Sequence, residues 1–355
     1  MPAITRFLSR AGVLVFTLLA ARAAFAGEPG QPAPREGDEI VVCGQFFHTG
    51  SKVVLWMNPG GYDAYRVERR FVPLDQAGWR ASSAHLSSPS RYAMRKGSLS
   101  PAQIERFRGG GWDLPTLQSH IDQFVLHYDV EGCSRACFEA LQDKAGLSIH
   151  FMLDLDGTIY QTIDLKEEAW HATSSNDRSV GVEIANVGAY TNGEENPMDT
   201  WYKKGADGKE TITIPAKFGA NPEWTPHFQG HPARREPVTG EVQGKQLRQF
   251  DYTPQQYKAL VKLTATLCTI FPKIKCDYPR EADGKLMTHK LPGPELKNYQ
   301  GVLGHYQIQT DKLDPGPALQ WDYIIDNARA ILKQPPVRNV LGETITAPPA
   351  LIEDD

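Results

Sequence analysis

The chain has 355 residues, 38 Lys and Arg against 42 Asp and Glu, and a hydrophobic content of 41%. That content is too high for a disordered chain, and the length suits one large domain or two ordinary ones. A net charge of −4 argues against a general nucleic-acid binder, and no apolar run approaches bilayer-spanning length except one candidate at the N-terminus.

That candidate, residues 1–26, has the layout of an export signal. Arg6 and Arg10 form a short basic region, AGVLVFTLLAA is apolar but too short to span, and Ala24-Phe25-Ala26 closes the segment with an A-x-A cleavage signature. An uncleaved anchor is the rival reading, and Arg22 counts against it by interrupting the apolar run. Cleavage would remove three arginines and leave 329 residues with a net charge of −7. The expected product is exported, periplasmic or secreted, carries no membrane anchor after cleavage and acts as a monomer. Disulfides persist in such compartments, so Cys133 with Cys137, or Cys268 with Cys276, could bridge or remain buried thiols.

Residues 27–37 (GEPGQPAPREG) read as a flexible linker. Residues 38–116 form an N-terminal module with a strand at Lys52–Trp56 and a helix start at Ser100-Pro101, where Gln103 completes the cap. His48 in this module is expected to be structural or exposed. From residue 117 strands and helices alternate. QFVLHY, 123–128, is a strand ending on His127. Over Ser148–Asp154 the residues Ile149, Phe151 and Leu153 share one face while His150 points to the other. Asp156-Gly157 signals a hairpin into Thr158–Ile163. Over 179–186 (SVGVEIAN) Val180, Val182 and Ile184 form the apolar face, which leaves Glu183 among small neighbours as the floor of a groove. Residues 190–250, rich in Gly, Pro and charge, are expected to form an insertion of hairpins and loops. A helix follows, capped by Thr253 with Pro254 and Gln256. A last strand, 301–305 (GVLGH), leads to a helix around Trp321–Leu332, and the Pro-rich tail 334–355 is expected to be disordered.

His127 and His305 each close a strand, and Asp314 lies nine residues beyond His305 in the loop KLDPGP. Two imidazoles and a carboxylate suffice to hold a catalytic zinc while leaving one tetrahedral position open. Taken singly, a strand histidine is more often structural than a ligand.

The stretches QFVLHYD, HFMLDLDGTIYQ, AWHAT, SVGVEIAN and GHYQIQTDKLDPGP together resemble the zinc N-acetylmuramoyl-L-alanine amidases of the type-2 amidase and peptidoglycan-recognition-protein superfamily. The resemblance covers roughly residues 117–333, with 190–250 outside it. It implies an α/β fold, a central mixed β-sheet flanked by helices, with zinc at one end of a groove. Carried over by motif, His127, His305 and Asp314 are the zinc ligands. Glu183 is the catalytic acid–base residue and Lys312 the partner that stabilises the oxyanion. His171 and His150 are candidate substrate contacts; the alternatives are that His171 supports the ligands from behind or is structural, and that His150 simply caps the sheet face. The implied reaction is hydrolysis of the amide joining N-acetylmuramic acid to the L-alanine of the stem peptide, in peptidoglycan or a muropeptide, with a water nucleophile at about neutral pH. Two other readings are a peptidoglycan-binding or sensing protein that keeps the fold without catalysis, and a zinc peptidase acting on another cell-wall amide. The presence of the full ligand set with Glu183 favours the amidase.

Overall fold

The computed structural model describes residues 33–77, 91–97, 99–108, 111–205, 208–216 and 228–336. The expected export signal, residues 27–32 of the linker and the tail from 337 lie outside the described residues. By internal contacts the chain divides into Met1–Arg35 and Glu36–Asp355, and the second unit contains everything that follows.

Its centre is a six-stranded sheet. We label the strands β1 (Val53–Leu55), β2 (Gln123–Tyr128), β3 (Phe151–Leu153), β4 (Ile159–Gln161), β5 (Ser179–Ile184) and β6 (Gly301–Gly304). Their spatial order is β6-β2-β5-β3-β4-β1. All neighbouring pairs run parallel except β3 with β4, the hairpin that Asp156-Gly157 turns. The mixed sheet agrees with the expected fold class.

Alternation assigns the two faces different tasks. Phe124, Leu126, Phe151, Leu153, Val180, Val182 and Ile184 are all fully buried and share one core with helices α1 (Pro254–Ile270) and α2 (Trp321–Ile331). Those helices supply Tyr257, Leu260, Leu263 and Leu267 from α1, and Trp321, Ile324, Ile325 and Ala328 from α2. Side chains of this size each contribute about 1.5–3 kcal/mol when buried, so a one-residue slip of β2 or β5 would forfeit several of them at once. The register of the opposite face is fixed as a consequence. Thr253 caps α1 with the expected capping box, and Gln256 reaches past the cap to Ala185 O at the end of β5 (2.8 Å).

The region before residue 117 is built into this sheet. β1 is its edge strand, paired with β4. A hairpin of Glu39–Val42 with Gln45–His48 buries Ile40, Val41 and Val42 in the main core. Tyr92–Met94 pairs with Glu167–Ala169, and Ser100 caps the helix Pro101–Phe107 as its sequence predicts. The 190–250 region forms the expected hairpins: Val238–Val242 with Lys245–Gln249, joined by Tyr190–Thr191, and Tyr202–Lys204 with Glu210–Ile212.

Some elements differ from the sequence reading. The strand expected over 148–154 keeps ladder pairing only at Phe151–Leu153; before it, Ser148 Oγ donates to Arg91 O and accepts from Trp170 N, and the His150 ring bonds Gly181 N and Glu167 O. The helix Leu114–His120, capped by Asp113, was not anticipated. Nor was Ser134–Phe138, which runs into a π-helical segment Glu139–Ala145 and stops at Gly146 (φ 68°). All five cysteines are unbridged, and the Cys276 thiol donates to Ile325 O. Among the described residues no helix is long and apolar enough to cross a membrane.

Candidate active site

The face of the sheet turned away from α1 and α2 carries the polar cluster. His127 and Glu183 are register partners on β2 and β5, so their side chains leave the same face side by side. His305 follows directly on β6, the other neighbour of β2. Asp314 returns to this point through its loop. His127 Nδ1 lies 2.8 Å from Asp314 Oδ2 and 3.0 Å from His305 Nδ1, and His305 Nδ1 lies 3.0 Å from the same oxygen. All three residues are buried.

The hydrogen bonds around this triangle decide what it can hold. His305 Nε2 lies 2.7 Å from Gln309 Oε1, an acceptor, so the proton of the neutral ring sits on Nε2 and Nδ1 presents a lone pair. His127 Nε2 meets His171 Nδ1 at 3.0 Å. With its proton there, His127 also turns a lone pair inward. Two lone pairs and a carboxylate oxygen then face one another at hydrogen-bonding distance, an arrangement that a cation would satisfy. Their spacing is close to that of donors around an ion with bonds of about 2.0–2.2 Å. His127, His305 and Asp314 therefore fit a metal ion, as their clustering among metal-ligating groups indicates. Burial, reinforced by the adjacent His305, pushes His127 down to about 4 and keeps it neutral. Burial alone would raise Asp314, but His305 and His127 outweigh it and hold the carboxyl well below its ordinary range.

Asp314 owes its position to residues that no local motif marks. Its carbonyl accepts from Tyr306 N (3.0 Å). Pro315 O accepts from Tyr252 OH (2.7 Å) and Gln249 Nε2 (3.2 Å), and Gln249 Oε1 accepts from Ala318 N (2.9 Å). Gly304 admits the loop, since a Cβ there would stand 2.7 Å from Pro315 Cδ. Gln249 ends a hairpin strand far away in sequence and Tyr252 lies just beyond it, so the 190–250 segment takes part in holding the site. Gln309, which orients His305, was also missed. Its only sequence signal is the four-residue step from His305, one turn further along a short helical loop.

Glu183 stands beside the cluster with Oε2 buried and unpaired. Burial, with Asp314 and Asp129 adding negative potential, raises its pKa well above the ordinary value, and Lys312 opposes the rise. Glu183, Lys312 and the triangle line a common cavity of about 290 Å³. Trp170, Leu141, Leu147, Val130 and Glu131 form its outer walls. His171 also lines it.

His150 does not. Its ring is fully buried, accepts from Gly181 N on Nδ1 (3.1 Å) and donates from Nε2 to Glu167 O (3.0 Å). The expectation of substrate contact is corrected accordingly: both nitrogens are spent on the protein, and Arg95 covers the ring from the N-terminal side (3.0 Å). Asn176 and Arg178 are likewise structural. Asn176 Oδ1 accepts from His171 N and Ala172 N, and Arg178 pairs with Asp122. His48 is exposed and bonded to Asp38 (2.8 Å), as its sequence context suggests.

A family model described as N-acetylmuramoyl-L-alanine amidase matches residues 117–317. No curated protein matches the chain. Among solved structures, a selenomethionine derivative of AmpD is 16% identical, covering 75% of this chain and 98% of that one, with a TM-score of 0.30. AmiD from E. coli, in complex with anhydro-N-acetylmuramic acid-L-Ala-D-gamma-Glu-L-Lys, is 18% identical and covers 59% and 57%, at 0.31. The endolysin LysCS from Clostridium intestinale URNW is 14% identical and covers 62% and 88%, at 0.30. Likenesses this distant bear on neither substrate nor mechanism.

Proposed function

The chain belongs to the N-acetylmuramoyl-L-alanine amidase family, and from that membership we propose that it is a zinc-dependent hydrolase of the amide between the lactyl group of N-acetylmuramic acid and the stem peptide's L-alanine. The observation that carries the metal dependence is the convergence of His127 Nδ1, His305 Nδ1 and Asp314 Oδ2 within 3.0 Å of one another, with the other nitrogen of His305 committed to an acceptor. A zinc ion held there would supply Lewis acidity, acidifying water to about neutral pKa and polarising an amide carbonyl.

The remaining chemistry falls to side chains. Glu183 shares a face with His127 and keeps an unpaired oxygen in the same cavity, so it is placed to take a proton from the attacking water and return it to the departing amine. Lys312 lines the same space and supplies positive charge where the carbonyl oxygen becomes negative. Atoms balance without a covalent enzyme intermediate: water adds hydroxyl to the lactyl carbonyl and a proton to the L-alanine nitrogen. The N-terminal signature supports action outside the cytoplasm.

The test is incubation of the purified protein, with and without a chelator, with muropeptides of defined structure, products being identified by mass spectrometry. The expected result is release of intact stem peptide that requires metal and is lost in Glu183→Gln. Binding without turnover in the presence of zinc would overturn the hydrolase reading. A cut inside the peptide would move the activity to the peptidase class.

A further inference from the structure

We propose that His171 is a positioning residue for the metal site: it fixes the tautomer and orientation of His127 by accepting its Nε2 proton, and does not contact substrate through hydrogen bonds. The proposal rests on the reading of His127 as a metal ligand.

The ring of His171 has two nitrogens, and both are engaged inside the protein. Nδ1 lies 3.0 Å from His127 Nε2, and Nε2 lies 3.3 Å from the hydroxyl of the buried Ser179. The rings of His127 and His171 meet nearly edge to face, at 80° with centroids 5.2 Å apart. If His127 presents its Nδ1 lone pair to a cation, its proton must be on Nε2. His171 Nδ1 must then be an acceptor and its own proton must sit on Nε2, donated to Ser179 Oγ. Each step forces the next. The serine hydroxyl can donate or accept, so it tolerates either polarity of the chain, and the cation selects one.

The surroundings are shaped for this ring. A Cβ at Gly181 would lie 2.5 Å from His171 Cε1 and 2.6 Å from Nδ1. The glycine between Val180 and Val182 therefore leaves the space the imidazole fills. Behind it, His150 presents its ring edge-on at 5.8 Å and cannot compete for His171, because its nitrogens bond Gly181 N and Glu167 O. The backbone of His171 is held by Asn176 Oδ1 (3.0 Å). Asn176 O in turn accepts from the buried Arg95 (3.0 Å). A groove residue reserved for substrate would keep a free donor or acceptor, and His171 keeps none.

The experiment compares wild type with His171→Phe, which keeps the ring and loses the acceptor, and with Ser179→Ala, which acts one bond further out. Zinc dissociation constants are measured by competition with a chromophoric chelator, and the His127 tautomer by nitrogen NMR of the zinc-loaded protein. For His171→Phe the expected outcome is a zinc dissociation constant raised about 10–100-fold, the range for loss of a ligand's outer partner. The His127 Nε2–H resonance loses its hydrogen-bonded shift, and kcat falls with KM for muropeptide little changed. Ser179→Ala gives a smaller change in the same direction and remains informative if His171→Phe does not fold. A raised KM with unchanged zinc affinity in both variants overturns the proposal in favour of a substrate contact. If wild type itself binds no zinc, the metal reading fails and the positioning role is overturned with it.

Discussion

Gln249→Ala puts the support of Asp314 to a quantitative test. Gln249 is fully buried, and its Oε1 is the acceptor for Ala318 N. Its Nε2 bridges Pro315 O, Asn186 Oδ1 and Tyr252 OH at 3.2–3.4 Å. Truncation leaves Pro315 O with Tyr252 and Asn186 Oδ1 with Gly188 N, so those two acceptors stay satisfied. The Ala318 N–H does not, and a buried orphaned donor costs about 1–3 kcal/mol. The one lost methylene adds about 0.8 kcal/mol. The sum is about 2–4 kcal/mol, a large share of a typical domain's stability of roughly 5–15 kcal/mol. Gln249→Met keeps the packing and should lose only the first part. Urea denaturation measures both, and zinc titration should show affinity reduced about tenfold in each, the low end for changes around a ligand, because Asp314 loses the frame that aims it. A loss below about 1 kcal/mol for Gln249→Ala, with zinc affinity intact, would refute the claim that the distant hairpin holds the ligand loop.

Three further outcomes follow from particular residues. Asp154 is raised to about 7 by burial, with Asp156 adding to the rise. Its native pKa exceeds its unfolded value, so its protonated form stabilises the fold at low pH, and that contribution is lost as pH rises from about 4 through 7. Asp154→Asn should therefore gain stability over wild type at pH 8 but not at pH 4, by at most about 4 kcal/mol at roughly 1.4 per unit; parallel pH–stability curves for the two proteins would contradict this. Lys312→Met should lower kcat by about 10²–10³ if the lysine stabilises the oxyanion, while zinc affinity measured by chelator competition stays near wild type. Removing residues 1–110 strips Ile40, Val41, Val42, Val53 and Leu55 from the core, on the order of 10 kcal/mol at about 1.5–3 each, and circular dichroism should show an unfolded chain.

What the sequence displays and what it conceals divide along a physical line. β2 and β5 are legible because a buried face must alternate, and α1 because Thr253, Pro254 and Gln256 are chemically required at a helix start. The metal triangle is legible only through motifs spaced far apart, since nothing local to His127 distinguishes a ligand from a structural imidazole. Gln249, Tyr252 and Gln309 are invisible for a related reason: each acts through hydrogen bonds to residues brought near by folding, and glutamine on a strand or loop has no fixed meaning. His150 misled because alternation gives the face of a side chain but not how many layers of protein cover it. Arg95, fully buried yet held at about 10 by burial against nearby acids, is a final example, since a lone arginine in sequence is read as exposed.

Arg95 has a consequence for how such a protein can diversify. It donates to the carbonyls of Leu165, Asn176, Asp177 and Ser179, and so reaches from the N-terminal region to the backbone that carries His171 and starts β5. A segment that supplies both an edge strand and an internal cation cannot be traded between proteins as a detachable cassette. Recombination at the edge of the matched region would sever a sheet and take Arg95 away from four carbonyls in one event. Novelty in this lineage is accordingly expected at the outer walls of the groove, around Val130, Leu141 and Leu147, where single substitutions can be tried without disturbing the frame.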